Sequence, residues 1–297
     1  MKQLWIVFSL MATLLFASAQ IQIGIQLDRD QFLLYEPIPV KLTILNNTGS
    51  PLTVSGDWLS FMVTLPDGSG IRKDNKLTID PLQLDSGSRK TITINITPLY
   101  SIRDVGQYLL QGVVEIQGVQ YVTHTVAFNV ANGQKIWSES RPVGGVQRIY
   151  SLYRFSPTST NTQVFIRVEE PDENKVYATY SLGDIVSFIQ PEIKFDKEGN
   201  LHVLHPKGQG VYQYSRIALS GKLEHTAEYH ATSKSRPALT IGEDGLVMVQ
   251  GGQSNLGQPK RTRLSQGQKL LTTEAKEALA PKADSKEDPK AESSSKK

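Results

Sequence analysis

Apolar and polar residues alternate from residue 20 to about residue 130 of this chain, in short runs separated by turn residues. In the first half, four such runs lie at residues 21–27, 38–44, 61–65 and 92–96. Alternation with a period of two is what a strand shows when one of its faces is buried. Because these runs recur over about 100 residues without a helical period, the pattern predicts a β-sandwich.

A local pattern near the end of this half indicates the same fold. Asp104, Gly106 and Tyr108 form the sequence D-x-G-x-Y directly before another alternating run. The pattern resembles the tyrosine corner of immunoglobulin-like (Ig-like) domains, in which a buried phenol must hydrogen-bond to the backbone. The resemblance assigns these three residues a structural role.

The early part of the first half carries a second resemblance. Residues 35–49 are similar to the early strand of bacterial Ig-like domains of the macroglobulin type. This resemblance implies a fold and no activity, because such domains mostly act as spacers, adhesion modules or partner docks. Leu110 stands where antibody domains carry their second disulfide cysteine, so we expect an apolar contact of Leu110 with Val40 or Leu42.

The second half is also rich in short apolar runs, but it repeats itself. Residues 191–201 align with residues 237–247 at an offset of 46, and the Val-Tyr pairs beginning at 176 and 211 align at an offset of 35. Gly199 and Gly245 take equivalent turn positions in the first alignment. The shared motif resembles hairpins of propeller and sialidase-like repeats.

The spacing of these repeats limits the architecture. Four strands in about 40 residues is the format of a propeller blade, and residues 134–258 are too few for the four blades that a closed propeller needs. We therefore predict an all-β protein in which an Ig-like β-sandwich is followed by a β-meander of blade-like repeats. An open sheet pair or another chain would cover the exposed edges, and an oligomeric propeller is one such possibility.

Both ends of the chain differ from this β-rich body. Residues 1–19 combine Lys2 with an apolar stretch and small residues, the pattern of a secretory signal peptide. The apolar stretch is shorter than the roughly 20 residues of a membrane-spanning helix. The predicted domains are a signal peptide (1–19), an Ig-like β-sandwich (20–131), a β-rich blade-like repeat domain (134–254) and a disordered charged tail (255–297).

Composition narrows both the location and the chemistry. The net charge of +3 is too small to indicate nucleic-acid binding, and the positive charge is concentrated in the tail. The chain has no cysteine, which excludes disulfides, thiolate nucleophiles and cysteine-ligated metals. Gln20 follows the predicted cleavage site, where a lipoprotein would need cysteine. We expect export to a bacterial periplasm or cell surface.

A turn in the first repeat holds the best candidate for a metal ligand set. Asp196, Glu198 and Asn200 could together coordinate calcium, because hard cations prefer several oxygen ligands. In the second repeat Gly242 and Leu246 replace two of them, while the glycine of the turn is retained. The repeat therefore favours a hairpin turn with a glycine at positive φ, and no metal site.

The five histidines give no metal-ligand spacing. His202 and His205 lie three residues apart in one strand, which places them on opposite faces. His225 and His230 also lie on opposite sides of a strand, and His124 is solitary. We interpret all five as surface or edge residues, and we predict no metal and no cofactor.

Two further groups of residues could support function. Glu169 and Glu170 belong to an acidic cluster that could offer paired carboxylates for glycoside chemistry, although adjacent side chains diverge and proline interrupts the cluster, which favours a solvated hairpin loop. Four tyrosines could form a contact surface for a protein or a glycan, although ordinary packing in a sheet would also explain them: Tyr177, Tyr180, Tyr212 and Tyr214.

Neither catalytic residues nor a catalytic motif can be assigned. We therefore expect an exported, non-catalytic protein that makes protein or glycan contacts at the bacterial cell envelope. The alternative is a secreted carbohydrate-active enzyme, or an accessory subunit of one, that uses Glu169, Glu170 or Asp196 beside the tyrosines. Two carboxylates about 5 to 10 Å apart in one pocket would favour the enzyme.

Overall fold

The computed structural model describes residues 21–186 and 188–254, and over this part the chain is all-β, as predicted. It contains one short 3-10 turn (Pro171–Glu173) and no α-helix within these residues. None of the described helical segments is long and apolar enough to cross a membrane. The predicted signal peptide and the predicted tail lie outside the described residues.

Ten strands form the first region. They are β1 (Ile21–Leu27), β2 (Gln31–Leu33), β3 (Pro39–Asn46), β4 (Leu52–Val54), β5 (Leu59–Thr64), β6 (Leu82–Leu84), β7 (Arg89–Asn95), β8 (Gly106–Ile116), β9 (Val119–Val122) and β10 (Val126–Ala131). Sheet A has the order β1-β3-β7, and sheet B has the order β2-β10-β8-β5 with β9 beside β8. Strands β4 and β6 form a separate pair.

The two sheets of the first region enclose one apolar core in a sandwich-like arrangement. Val40, Leu42 and Leu110 are all fully buried in this core, as the alternation of these strands requires. Tyr108 is also buried, and its hydroxyl donates a hydrogen bond to the backbone oxygen of Asp104 at 2.7 Å. This bond connects the start of β8 to the preceding loop.

Eleven strands form the second region. They are β11 (Gln134–Val143), β12 (Val146–Thr158), β13 (Asn161–Glu170), β14 (Lys175–Asp184), β15 (Glu192–Phe195), β16 (Leu201–Gly208), β17 (Val211–Ile217), β18 (Leu223–His230), β19 (Ala238–Ile241), β20 (Val247–Gln250) and β21 (Gln253–Ser254). Sheet C has the order β11-β12-β13-β14, and sheet D has the order β15-β16-β17-β18-β21. Strands β19 and β20 form a two-stranded sheet.

These sheets are stacked face to face, and alternate residues of one strand serve different layers. In β12, Leu152 packs in the core shared by sheets C and D, whereas Tyr153 packs with Leu33 of the first region. In β16, Val203 belongs to the core shared with sheet C, whereas Leu204 belongs to the core shared with β19 and β20. The central strands of sheets C and D are therefore buried on both faces.

The junction between the regions is tightly packed. The guanidinium of Arg167 donates a hydrogen bond to the backbone oxygen of Leu34 and lies 5.0 Å from the ring centroid of Tyr35. Gly133 lies between β10 and β11, and a Cβ atom there would come within 2.8 Å of the Leu33 side chain and 3.0 Å of the Arg154 backbone oxygen. Only glycine fits this approach without a shift of neighbouring atoms.

The alignment at an offset of 46 corresponds to a repeated hairpin. We call β15–β16 the first hairpin and β19–β20 the second hairpin. Ile193 pairs with Val203 in the first, and Leu239 pairs with Val249 in the second, so each position has its equivalent 46 residues later. The backbone hydrogen bond from Gly199 to Asp196 is likewise repeated between Gly245 and Gly242.

The alignment at an offset of 35 has a different meaning. It superimposes the turn between β13 and β14 on the turn between β16 and β17. These strands are the third and fourth of sheet C but the second and third of sheet D. The offset therefore matches two hairpins that do not occupy equivalent positions in their sheets, which explains why the two offsets differ.

Candidate functional site

A buried polar network connects the first hairpin to β17. The carboxylate of Asp196 accepts hydrogen bonds from the backbone amides of Glu198 and Asn200, at 2.9 and 2.8 Å. Its other oxygen lies 3.0 Å from Nε2 of His202, and Nδ1 of the same ring lies 2.7 Å from the hydroxyl of Tyr214. The turn that sequence analysis favoured over a calcium loop is thus closed by the Asp196 side chain itself.

The electrostatics of this network favour a fixed arrangement. Burial raises the pKa of Asp196, but hydrogen bonds from His202 and Asn200 outweigh this effect and hold the pKa below its usual value. Burial lowers the pKa of His202 and raises that of Tyr214 to about 12. At neutral pH a neutral His202 can donate a hydrogen bond to an ionised Asp196 and accept one from Tyr214. Each of these three side chains therefore has a hydrogen-bond partner within the protein.

The interpretation of all five histidines as surface or edge residues was wrong for two of them. His202 is 3% exposed and His205 is fully buried. They do lie on opposite faces of β16: His202 contacts Tyr214, whereas the neighbour of His205 is Asp184 of sheet C. Both are buried because sheet D is covered on both faces, which alternation along one strand does not reveal.

The four tyrosines proposed as a contact surface do not form an open face. Tyr212 and Tyr214 are buried, and Tyr177 and Tyr180 are half-buried against the core between sheets C and D. The hydroxyl of Tyr180 donates to the backbone oxygen of Gly221 at 2.9 Å, and that of Tyr177 donates to Glu170. Packing between layers accounts for these rings.

The acidic cluster forms an exposed hairpin turn at residues 171–174, as expected, but one of its carboxylates lies inside the protein. Glu170 is buried and accepts a hydrogen bond from Tyr177, while Asn174 adopts a left-handed conformation that reverses the chain. Two clefts, one lined by Trp58 and Glu115 and the other by Tyr100 and Arg103, contain none of Glu169, Glu170 and Asp196 in their walls. Among the described residues, no three His, Asp or Glu side chains are arranged to hold a metal ion.

The second hairpin exposes what the first hairpin covers. Met248 occupies the position equivalent to His202, yet it is 39% exposed where His202 is 3% exposed. Ile241, the equivalent of Phe195, is 55% exposed. The difference arises because His202 lies on the face of sheet D that the second hairpin covers, whereas Met248 lies on the face of the second hairpin that points away from this shared core and that no described sheet covers. Along its edge, β20 pairs with β19 alone among the described strands. We call the unpaired side of β20, the strand that carries Met248, the open edge.

Sequence reasoning identified neither this edge nor the buried network. The alignment at an offset of 46 did match His202 with Met248. The information that was missing is the number of strands that follow each hairpin. That number depends on which strands pair, and pairing is a property of the whole sheet.

Comparisons with known proteins give no family for this chain. No family model and no curated protein matches it. Among solved structures, alkylpurine DNA glycosylase AlkC of Pseudomonas fluorescens, bound to DNA with an abasic site analogue, is 18% identical with a TM-score of 0.28. The match covers 38% of this chain and only 30% of the glycosylase.

A second solved structure is sporulation control protein Spo0M of Bacillus subtilis. It is 9% identical with a TM-score of 0.27, over 55% of this chain and 91% of that protein. Likeness at this level carries no conclusion about the fold or the function of this chain.

Proposed function

We propose that this chain is an exported, non-catalytic binding protein of the bacterial cell envelope that takes up an extended segment of a partner protein as an additional strand beside β20. The observation that carries the proposal is the unpaired edge of β20, which pairs with β19 alone among the described strands. At the equivalent edge of the first hairpin, β17 pairs with β16. Export itself is supported by the signal-peptide pattern of residues 1–19.

The physical basis is the cost of leaving a strand edge unpaired. An edge strand presents a row of backbone donors and acceptors, and an extended peptide can satisfy them by adding a strand. Here Val247 and Val249 also continue the apolar layer over Tyr212 and Ala227 of sheet D. A strand beside β20 would extend this layer, as β17 does for the first hairpin.

The sequence of β17 supplies a defined probe for the open edge. A fluorescent peptide copying residues 210–217 contains the strand that covers the equivalent edge in sheet D. We expect saturable binding of this peptide to the intact protein, measured by fluorescence anisotropy, and amide hydrogen exchange should show added protection at β20. A scrambled peptide should bind at least about fivefold more weakly, which corresponds to roughly 1 kcal/mol.

Two exposed methionines provide a matched pair of variants. Met248→Lys places a charge on the open edge and should reduce peptide binding at least about fivefold. Met62→Lys makes the same change in β5 of the first region, where Met62 is 47% exposed, and should leave binding unchanged. Equal binding by both variants, or equal binding of the scrambled peptide, would contradict the proposal.

A further inference from the structure

A cleft lies where the two regions meet. Its volume is about 200 Å³, and its walls come from both regions. The first region contributes the loop 97–103 together with Tyr35 and Asp74, and the second contributes Asn174 and Val176 beside the turn that follows β13. Because the packing of Arg167 and Gly133 fixes the regions to each other, the cleft is formed before any ligand arrives.

Several polar groups of the cleft are already engaged within the protein. The Tyr100 hydroxyl donates to the backbone oxygen of Phe61, and the Thr97 hydroxyl donates to that of Glu36. The carboxylate of Asp74 accepts a hydrogen bond from Arg72 at 2.9 Å. These groups shape the cleft, and Arg72 balances the negative charge of Asp74.

Other polar groups of the cleft face it without such a partner. Among the hydrogen bonds and ion pairs of the described residues, none uses the side-chain polar groups of Tyr35, Ser101, Arg103 or Asn174. The unpaired set comprises a phenol, a hydroxyl, a guanidinium and an amide. The charge that this set offers to a ligand is therefore positive, and it comes from Arg103.

Tyr35 is held in an unusual conformation at this cleft. Its φ of 68° is rare for a residue with a bulky side chain. The adjacent turn is held by Glu36, whose carboxylate accepts a hydrogen bond from the Leu33 amide at 2.9 Å and pairs with Arg29. On its other side the ring lies over the guanidinium of Arg167. Residues held in sparsely populated conformations are concentrated at ligand-binding sites.

The geometry points to a saccharide that carries a carboxylate, bound as about one sugar ring in this cleft. The guanidinium of Arg103 would pair with the carboxylate, since planar guanidinium groups match carboxylates with two parallel hydrogen bonds. The ring of Tyr35 would pack against an apolar face of the sugar. Ser101 and Asn174 would hydrogen-bond to sugar hydroxyls. This site is separate from the open edge of β20.

The test compares glucuronate with glucose, which has the same ring but no carboxylate. Binding to the full chain is followed by NMR titration. We expect saturable binding of glucuronate and at least fivefold weaker binding of glucose. Acetate, which has the charge without the ring, should also bind at least fivefold more weakly.

Variants test the contact of Arg103 with the carboxylate and the contact of Tyr35 with the sugar ring separately. Arg103→Ala should abolish the preference for glucuronate over glucose, whereas Arg89→Ala, at an exposed position of β7, should retain it. Tyr35→Asn removes the ring while keeping a residue that tolerates positive φ, and it should weaken both sugars at least fivefold. Met248→Lys should leave glucuronate binding unchanged, so failure of this inference is distinguishable from failure of the proposed function.

Three results would overturn the inference. These are no saturable binding of glucuronate, equal binding of acetate and glucuronate, and a preference for glucuronate that survives Arg103→Ala.

Discussion

The first and second hairpins have the same register and the same turn, but they differ in what surrounds them. The turn bond from Gly199 to Asp196 is repeated between Gly245 and Gly242, and the pairing is repeated at every position. The first hairpin is covered along β16 by β17, while the second ends in an open edge. The backbone of the hairpin is therefore independent of its cover, because the turn and the alternation are local.

The side chains at equivalent positions of the two hairpins differ according to whether a further strand lies beside the hairpin. Where β17 is present, the position of His202 carries a polar ring that is bonded on both sides, to Asp196 and Tyr214. Where the cover is absent, the equivalent residue is Met248 and the equivalent of Asp196 is Gly242. A buried polar group needs partners on all sides, so the network can exist only in the covered hairpin.

Acid should affect the first hairpin most strongly. Burial lowers the pKa of His205 to about 4 and also lowers that of His202, whereas an unfolded histidine titrates near about 6.5. The unfolded chain therefore takes up these protons more readily, so the stability is complete above about pH 6.5 and is lost as the pH falls toward 4. Between pH 7 and pH 4 we expect a loss of roughly 3 kcal/mol from His205 alone.

Urea unfolding at a series of pH values measures this loss. The variant His205→Leu should lose less stability than the parent between pH 6.5 and pH 4, by about the same 3 kcal/mol. His124→Leu, at an exposed position, should follow the parent profile. The second hairpin has no histidine at the equivalent positions 248 and 251. Identical pH profiles for the parent and His205→Leu would show that His205 does not cause the loss of stability at low pH.

Removal of the Asp196 carboxylate should give the next largest effect. Asp196→Ala leaves the amides of Glu198 and Asn200 and the ring of His202 without their acceptor. We expect a decrease of about 3 kcal/mol in the free energy of unfolding at pH 7. In the second hairpin, Asp244→Ala removes one hydrogen bond to Leu246 at an exposed site and should cost about 1 kcal/mol or less. Equal losses of unfolding free energy in the two variants would show that the buried network adds nothing to the stability of the first hairpin.

The sequence predicted the local features of this molecule well. Alternation identified the longer strands of the first region, because burial of one face imposes a period of two on a strand, and the internal repeat identified hairpins of the second region. The positive φ of Gly199 and Gly245 was also predictable, since the turn requires a conformation that glycine adopts at low cost. The D-x-G-x-Y pattern led to the hydrogen bond between Tyr108 and Asp104.

The features that sequence reasoning missed depend on contacts between layers. His205 and Glu170 were expected in solvent, and both are buried because a second sheet packs on their face. Tyr214 was considered for a contact surface, but its hydroxyl meets a histidine in the neighbouring strand. The cleft at the junction combines loop 97–103 with Asn174, which are distant in sequence. Periodicity along one strand contains no information about which sheet lies opposite.

The two turn glycines offer a comparison at equal backbone conformation. Their φ values are 84° for Gly199 and 74° for Gly245. A Cβ atom at Gly199 would come within 2.8 Å of the Leu219 side chain, whereas at Gly245 the nearest atom is 3.1 Å away, in the flexible side chain of Lys197. Gly199→Ala should therefore cost about 2 kcal/mol and Gly245→Ala about 1 kcal/mol, as measured by urea unfolding. The reverse order would show that the covered hairpin relaxes more easily than the open one.

The smallest expected effect concerns the contact between the two hairpins. A carboxylate oxygen of Glu192 accepts a hydrogen bond from the Leu239 amide at 2.8 Å, and the second hairpin has Ala238 at the position equivalent to Glu192. Glu192→Ala should cost about 1 kcal/mol and should speed amide hydrogen exchange at Leu239 roughly fivefold. Glu198→Ala, in the exposed turn of the first hairpin, should leave this exchange unchanged. Unaltered exchange at Leu239 in Glu192→Ala would show that apolar packing alone holds the second hairpin on sheet D.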